Sequence, residues 1–325
     1  MSVEAHQIMP IPMPREESIP EAAKRRLSSP WATGLVILIT ILWTIPTFGL
    51  LVTSLRPREQ AQNSGWWTIF SDPTMTLSNY AEVITGGATI PSGIAPYFWN
   101  SFAIALPSAI FPLLIATMAA YAIAWIPFRG ATYIFFGIFA LQVIPLQMSL
   151  LPLLQMFSQG WTLGPITIFP DLNKPGTEQS LFVGTYVPLW VAHTMFALPL
   201  AIFLLHNFIN QLPRELFEAA RVDGASHFLI FRKLVLPLSV PAIASIAIFQ
   251  FLWVWNDLLV ALTFAGGTPD VAPITAYLAN IKGTYGAQLH LITAGAFIAI
   301  IVPLIVFFSL QRFFVRGLLA GSVKG

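Results

Sequence analysis

The side chains of this chain that could do chemistry are few, and they gather in two places. One is a polar island, Asn210-Gln211-Leu212-Pro213-Arg214-Glu215-Leu216-Phe217-Glu218-Ala219-Ala220-Arg221-Val222-Asp223-Gly224-Ala225-Ser226, set between two long apolar stretches. Its charges fall at helical spacing with no nucleophile and base side by side, so the chemistry it offers is recognition: charge-assisted contact with a soluble partner. The other is in the next apolar stretch, where Phe249, Trp253, Asn256 and Val260 share a helical stripe with Asp257 beside it. An acidic group in an apolar span is costly and faces protein or water. His193, near the middle of another apolar stretch, reads as a satisfied bundle residue rather than a proton carrier.

Reaction centres of other kinds are missing from the sequence. There is no cysteine, hence no disulfide, thiolate metal site or cysteine nucleophile. The chain has no phosphate-binding Gly-x-x-x-x-Gly-Lys-Ser/Thr loop, no His-Glu-x-x-His pair and no Gly-x-Ser-x-Gly elbow. It is therefore read as non-catalytic, with no metal and no bound cofactor of its own.

The elements that must position these residues are membrane helices. Of 325 residues 56% are hydrophobic and 9% charged, with a mean hydropathy of +0.74, against roughly 25% charged in soluble domains. Six apolar runs, 31–55, 98–126, 132–157, 183–208, 240–264 and 289–315, are long enough to cross a hydrocarbon layer that takes about 20 helical residues. Lipid offers the backbone no hydrogen-bond partners, and continuous rather than alternating hydrophobicity selects helices over barrel strands. The expected fold is an all-α membrane protein of six transmembrane helices. Some thirty polar residues precede the first run and no cleavage site follows it, so it is retained rather than removed as a signal peptide.

Alternate loops then test orientation. Twelve of the sixteen basic residues (Arg15, Lys24, Arg25, Arg26, Arg129, Arg214, Arg221, Arg232, Lys233, Arg312, Arg316 and Lys324) fall on one side, and Arg56, Arg58, Lys174 and Lys282 on the other. The positive-inside rule puts both termini and the island in the cytoplasm. The net charge of +2 thus reflects topology, and the dispersed basic residues do not suit nucleic acid.

Residues 1–30 read as a disordered cytoplasmic arm ahead of a membrane domain over 31–325. In the first outer loop Trp66-Trp67 suit the interface, and Leu77 to Ile84 resembles a short helix capped by Asn79 or Ser78. Only Pro127 to Ala131 joins the second and third runs, which makes them an antiparallel hairpin. The loop 160–181, with Asp171-Leu172-Asn173-Lys174-Pro175-Gly176, is either a contact surface or a solvated connector. Pro107, Pro112, Pro145, Pro152, Pro188, Pro199 and Pro303 fall inside runs and should bend them.

In the island itself Pro213 suits a first helical turn, Glu215 and Glu218 its positive end, and Gly224 a left-handed C-terminal cap. Leu212, Leu216, Phe217 and Ala220 cluster on one side, Arg214, Glu218 and Arg221 are spaced to pair, and Ser226 can cap a second amphipathic helix ending at Leu236-Pro237. Glu218-Ala219-Ala220, Gly224, Leu234 and Leu236-Pro237 stand at the offsets of the EAA loop of permease subunits of binding-protein-dependent ABC importers. That pattern has Ile where this chain has Leu234. Trp253-Val254-Trp255-Asn256-Asp257 and the end of the chain, Gln311 to Gly325, look like the carbohydrate branch. The tail is similar to that of the second permease of maltose and α-glucoside systems, with Phe313, Leu319 and Ser322 replacing Tyr, Thr and Ala.

The resemblance implies a type I ABC importer permease fold in a bacterial or archaeal cytoplasmic membrane. It implies as partners a second permease, two ATPase subunits that carry the ATP and Mg, an extracytoplasmic sugar-binding protein and the sugar. The coupling loop, 209–239, would dock on an ATPase through Glu218, Ala219, Ala220, Arg221, Asp223 and Gly224, with Arg221 and Asp223 either rim ion pairs or a solvated face. Gln311, Arg312, Gly317, Gly321 and Lys324, in or beside a cytoplasmic tail at 316–325, would reach between the ATPase subunits or simply flank the membrane. Phe249, Trp253, Asn256 and Asp257 would line a sugar path, the aromatic faces stacking on pyranose rings, or hydrogen-bond the partner permease. The cargo expected is an oligosaccharide such as an α-glucoside. Alternatives are a non-sugar solute such as glycerol phosphate or a polyamine, and an ion-coupled secondary transporter.

Overall fold

The computed structural model describes residues 30–87, 91–169, 186–265, 269–281 and 288–320. The arm 1–29, the stretch Asp171 to Gly176, and Gly321 and Lys324 of the tail lie outside the described residues. The chain divides at Val52/Thr53 into two units. The first holds α1 (Pro30–Ser54) as far as Val52, a charge-free helix whose Thr40 and Thr44 hydroxyls return to the carbonyls of Val36 and Thr40 at 2.7 Å each. Most of its large apolar side chains, Trp31 and Trp43 among them, face outward, as a lipid-facing span requires.

The second unit opens with α2 (Arg58–Asn63), a 3₁₀ turn over Trp66–Phe70, and α3 (Ser78–Thr85). Arg56, only 2% exposed, donates to Gln60 Oε1 (3.2 and 2.9 Å) and to Thr68 Oγ1 (2.6 Å), while Gln60 donates to Asp72 at 2.6 Å. Neither Asn79 nor Ser78 caps α3, whose N-cap is Leu77 without a side-chain bond. Asn79 is buried instead, and its amide donates to the carbonyls of Ser54 (2.9 Å) and Arg56 (2.8 Å), where the chain leaves α1.

Next come α4 (Ala95–Trp125), α5 (Ala131–Ala140) continued by a 3₁₀ turn at Leu141–Val143, α6 (Leu146–Gln159), a hairpin of β1 (Trp161–Leu163) and β2 (Ile166–Phe169), and α7 (Val187–Ile209). At 31 residues α4 is about 46 Å long, more than the hydrocarbon layer needs. It runs parallel to α7: Tyr186 bonds Asn100 at one end (2.6 Å), and Trp125 Nε1 donates to the Ile209 carbonyl at the other (3.1 Å). The chain must therefore cross back between them, which α5 and α6 do together. Phe135 and Phe139 stack on Phe203 near the second end, and Phe157 meets Phe264 near the first. The third span, expected to bend at its prolines, is broken by 99°. Pro145 pushes Ile144 out of helical conformation (φ −73°, ψ 118°) and opens a new helix as its N-cap.

The last part holds α8 (Arg214–Val222), α9 (His227–Ile230), a π turn at Phe231–Val235, α10 (Leu236–Trp255), α11 (Leu259–Phe264), α12 (Ile274–Ile281) and α13 (Leu289–Ala320). The second island helix does not stop at Leu236-Pro237 as expected; α9, the π turn and α10 form one helix from His227 to Trp255. Pro237 lies in the first turn of α10, and the π turn, closed by the Leu236 N–H on the Phe231 carbonyl, absorbs its missing donor. Helix also continues through 316–320, expected to be tail.

Two cores result, one toward each end of the unit. In one, Trp255 is ringed by Phe98, Phe102 and Phe251 at 4.9 to 5.9 Å and donates Nε1 to the Ala299 carbonyl at 3.2 Å. Tyr277 lies 5.0 Å from Tyr97 in the same core and donates to the Val83 carbonyl at 3.1 Å; burial pushes its hydroxyl up to about 12. In the other, small residues of α4 (Ala116 and Ala120) let α7 approach, with Leu205 and Ile209 fully buried.

Candidate functional site

The island is held against the second core by its apolar side. Phe217, 1% exposed, stacks on Trp125 with ring centroids 3.6 Å apart and planes 8° from parallel. Such a pair adds about 0.5–1.5 kcal/mol beyond burial. The Arg221 guanidinium donates to the Trp125 carbonyl at 3.2 Å, and Tyr121 Oη lies 3.0 Å from His227 Nδ1. Leu212 and Ala220 pack beside Phe217, but Leu216, placed by sequence on the same side, is 41% exposed. Phe217 at the centre of the stripe is buried, and Leu216, a hundred degrees round the helix, is not.

The turn between the helices follows from the backbone. The Ala225 N–H bonds the Ala220 carbonyl (2.9 Å) and the Gly224 N–H the Arg221 carbonyl (3.0 Å), a Schellman motif with Gly224 at φ +77°. A Cβ on Gly224 would meet nothing within 4 Å, so the requirement for glycine inside this chain is conformational. Ser226 caps α9, its Oγ accepting from the Leu229 N–H at 3.3 Å, as its position in the sequence suggested.

What remains is an outward face. Glu218, Ala219, Asp223 and Gly224 are exposed, and between them stand Val222 at 88% and Phe228 at 71% exposure. Among the described residues Arg214 and Glu218 form no ion pair, and Arg221 is turned inward to Trp125. Sequence reasoning missed Trp125, Tyr121 and His227 as the anchor, since nothing in spacing links residues about a hundred positions apart. Val222 and Phe228 were visible as apolar residues on the polar side of the island. The arrangement is an apolar centre with an acidic rim on a rigid base, suited to docking and not to bond making.

The residues of the second candidate are separated. The expected stripe ends with α10: Asn256 is its C-cap and returns its amide to the Leu252 carbonyl (2.8 Å), while Val260 is buried on α11. Phe249 (54%), Trp253 (65%) and Asn256 are exposed on the chain. Asp257, 12% exposed, accepts from the N–H groups of Val260 (3.3 Å) and Ala261 (3.0 Å), capping α11, and its Oδ2 lies 3.8 Å from Nε2 of the buried His193. The break is built by this carboxylate, which starts a new helix where the old one stops. Of the tail residues, Gln311 is exposed and donates to the Phe308 carbonyl at 3.2 Å, and Arg312 and Gly317 lie on α13. Among the described residues no group of three or more His, Asp or Glu side chains could hold a metal ion.

Bundle and island together define a multi-span α-helical membrane protein with a rigid knob on a connecting loop. Residues 113–319, which include the knob, match the family described as binding-protein-dependent transport system inner membrane component. The chain belongs to this family, and is a permease of the importer type. It is similar to the osmoprotective compounds uptake permease protein GgtD of Synechocystis sp., 50% identical over 89% of this chain and 90% of that protein. It is also similar to the alpha-glucoside transport system permease protein AglG of Rhizobium meliloti, 40% identical over 93% and 99%. A chain from the crystal structure of a bacterial ABC transporter involved in the import of the acidic polysaccharide alginate superposes with a TM-score of 0.62. That match covers 92% of this chain and 99% of that one at 17% identity, a likeness of fold.

Proposed function

We propose that this chain forms half of the translocation path of an ATP-driven sugar importer, and that the island couples ATP hydrolysis on a separate subunit to movement of the bundle. The observation that carries the reading is the outward face of Glu218, Ala219, Val222, Asp223, Gly224 and Phe228 on a base locked by the Trp125–Phe217 stack. An anchored knob passes on a push that a floppy loop would absorb. The partners are a second permease, two ATPase subunits that bind ATP and Mg, and an extracytoplasmic binding protein; the chain itself carries no catalytic residue. Both termini and the island lie in the cytoplasm, which the distribution of basic residues supports. The movement assigned to the bundle is alternating access by rigid displacement of packed helices.

The cargo we assign is an α-glucoside or a related small oligosaccharide, on the strength of the 40% identity to an alpha-glucoside permease. A second reading, osmoprotective compounds, is favoured by the 50% identity to a permease so named. Phe249, Trp253 and Asn256, exposed on the single chain, are assigned to the wall facing the partner permease or the path, and Asp257 to shaping the helix break beside it. The tail, with Gln311, Arg312, Gly317, Gly321 and Lys324, is assigned to the ATPase side.

The test is uptake of labelled maltose, trehalose, sucrose and glycine betaine into vesicles holding the assembled importer, with Glu218→Lys as the variant. The expected result is ATP-dependent uptake of at least one glucoside, lowered by about tenfold or more in Glu218→Lys through loss of a charge-assisted contact. Uptake of glycine betaine alone would reassign the cargo, and full uptake in the variant would remove Glu218 from coupling.

A further inference from the structure

At the end of the second unit opposite the island, the start of α2, the start of α3 and the first turn of α13 border a half-open cavity of about 280 Å³. Pro57, Arg58, Thr76, Ser78, Asn79, Glu82, Gln288 and His290 line it. Its floor is fixed, because the Asn79 amide is committed to the carbonyls of Ser54 and Arg56, and Arg56 beneath is itself tied to Gln60 and Thr68. Three features make it more than a surface dip. His290, which lines the cavity, is 3% exposed, and its Nδ1 is buried without a hydrogen-bond partner among the described residues, a state that ordinarily costs about 1–3 kcal/mol. Arg58 and Glu82 both line the cavity, and among the described residues no ion pair joins them. Finally, donors and acceptors are mixed: Ser78 Oγ accepts from Thr76 at 2.9 Å and keeps its own proton to give, while Asn79 Oδ1 and the Glu82 carboxylate are left to accept.

We propose that this cavity is a binding site for the hydroxyl groups of a saccharide unit, a waiting position at the mouth of the bundle. The inference rests on the sugar-import reading above. A hydroxyl both gives and takes a hydrogen bond, so one sugar ring can meet Glu82 and Asn79 as donor and Arg58 and Ser78 as acceptor. A solute of a single charge sign would satisfy either Arg58 or Glu82 and confront the other, whereas a zwitterion such as glycine betaine would suit both and is therefore the stringent competitor. Just below the usual range of ligand-pocket sizes, the space holds roughly nine waters at about 30 Å³ each, room for a sugar ring and its hydroxyls and too little for a folded loop.

The test uses the assembled importer in lipid nanodiscs without binding protein, and saturation-transfer NMR with maltose and trehalose as probes. We expect saturable signals from the sugar ring protons, with affinity about fivefold weaker in Glu82→Gln and in His290→Ala, and no competition from glycine betaine or inorganic phosphate. Glu82 is exposed, so Glu82→Gln keeps the test independent of folding even if His290→Ala misfolds; gel filtration checks both. Sugar affinity unchanged in Glu82→Gln, or displacement of the sugar by betaine or phosphate, overturns the site. Either result, beside normal ATP-driven sugar uptake, leaves the import reading standing. Absence of any sugar uptake by the wild type defeats that reading instead.

Discussion

Phe217 and Gly224 do different work within a few residues of each other. Phe217 is what holds the island to the bundle, so Phe217→Ala should cost about 3–5 kcal/mol of local stability, read as faster amide exchange across Arg214–Val222. Leu216→Ala, at a 41% exposed position, should cost less than about 1 kcal/mol. A Cβ on Gly224 would meet nothing within 4 Å, and its φ of +77° is what demands glycine. Gly224→Ala should therefore cost about 1 kcal/mol and Gly224→Asn less, since asparagine tolerates the left-handed region. Measured by thermal unfolding in micelles, the order Gly, Asn, Ala is the expected one. Under the proposed coupling, a Gly224→Asn chain that folds normally but loses uptake would locate the remaining need for glycine in the partner's socket.

Among the elements, the two breaks are where physical detail overrode pattern. Apolar runs gave the span count because lipid excludes other backbone solutions, and the island's helix, Gly224 turn and Ser226 cap were readable because each rests on a local residue preference. The break at Pro145 was only half readable: proline announces a bend, but its 99° depends on Ile144 turning extended and on aromatic packing at either end. The end of α10 at Trp255 was hidden, because Asp257 looked like a polar residue inside a span when it is the cap of the next helix. Asn79 was misread for the mirror reason, as a cap when its partners are carbonyls some 23 to 25 residues earlier. Asp257→Ala should destabilise the α10–α11 junction by about 1 kcal/mol or more, and Asp257→Asn, which keeps an acceptor, by less. Denaturant titration of the purified chain separates the two, and equal losses would mean that the contact with His193 and not the cap holds the junction.

For the molecule as a whole, the parallel pairing of α4 and α7 and the return through α5 and α6 put the island's anchor at one end of the bundle and the Arg58–Glu82–His290 cavity at the other. The central claim is that the face around Gly224 is where ATP hydrolysis on another subunit takes hold of this bundle. The chain has no cysteine, so Val222→Cys introduces a single thiol at an 88% exposed position in the middle of that face. The decisive measurement labels this thiol with a bulky maleimide in the assembled importer and follows binding-protein-stimulated ATP hydrolysis and sugar uptake together. The account predicts slow labelling while the ATPase is bound, and loss of both activities, by about tenfold or more, when the chain is labelled before assembly. Rapid, complete labelling of the assembled importer with hydrolysis and uptake intact would contradict it.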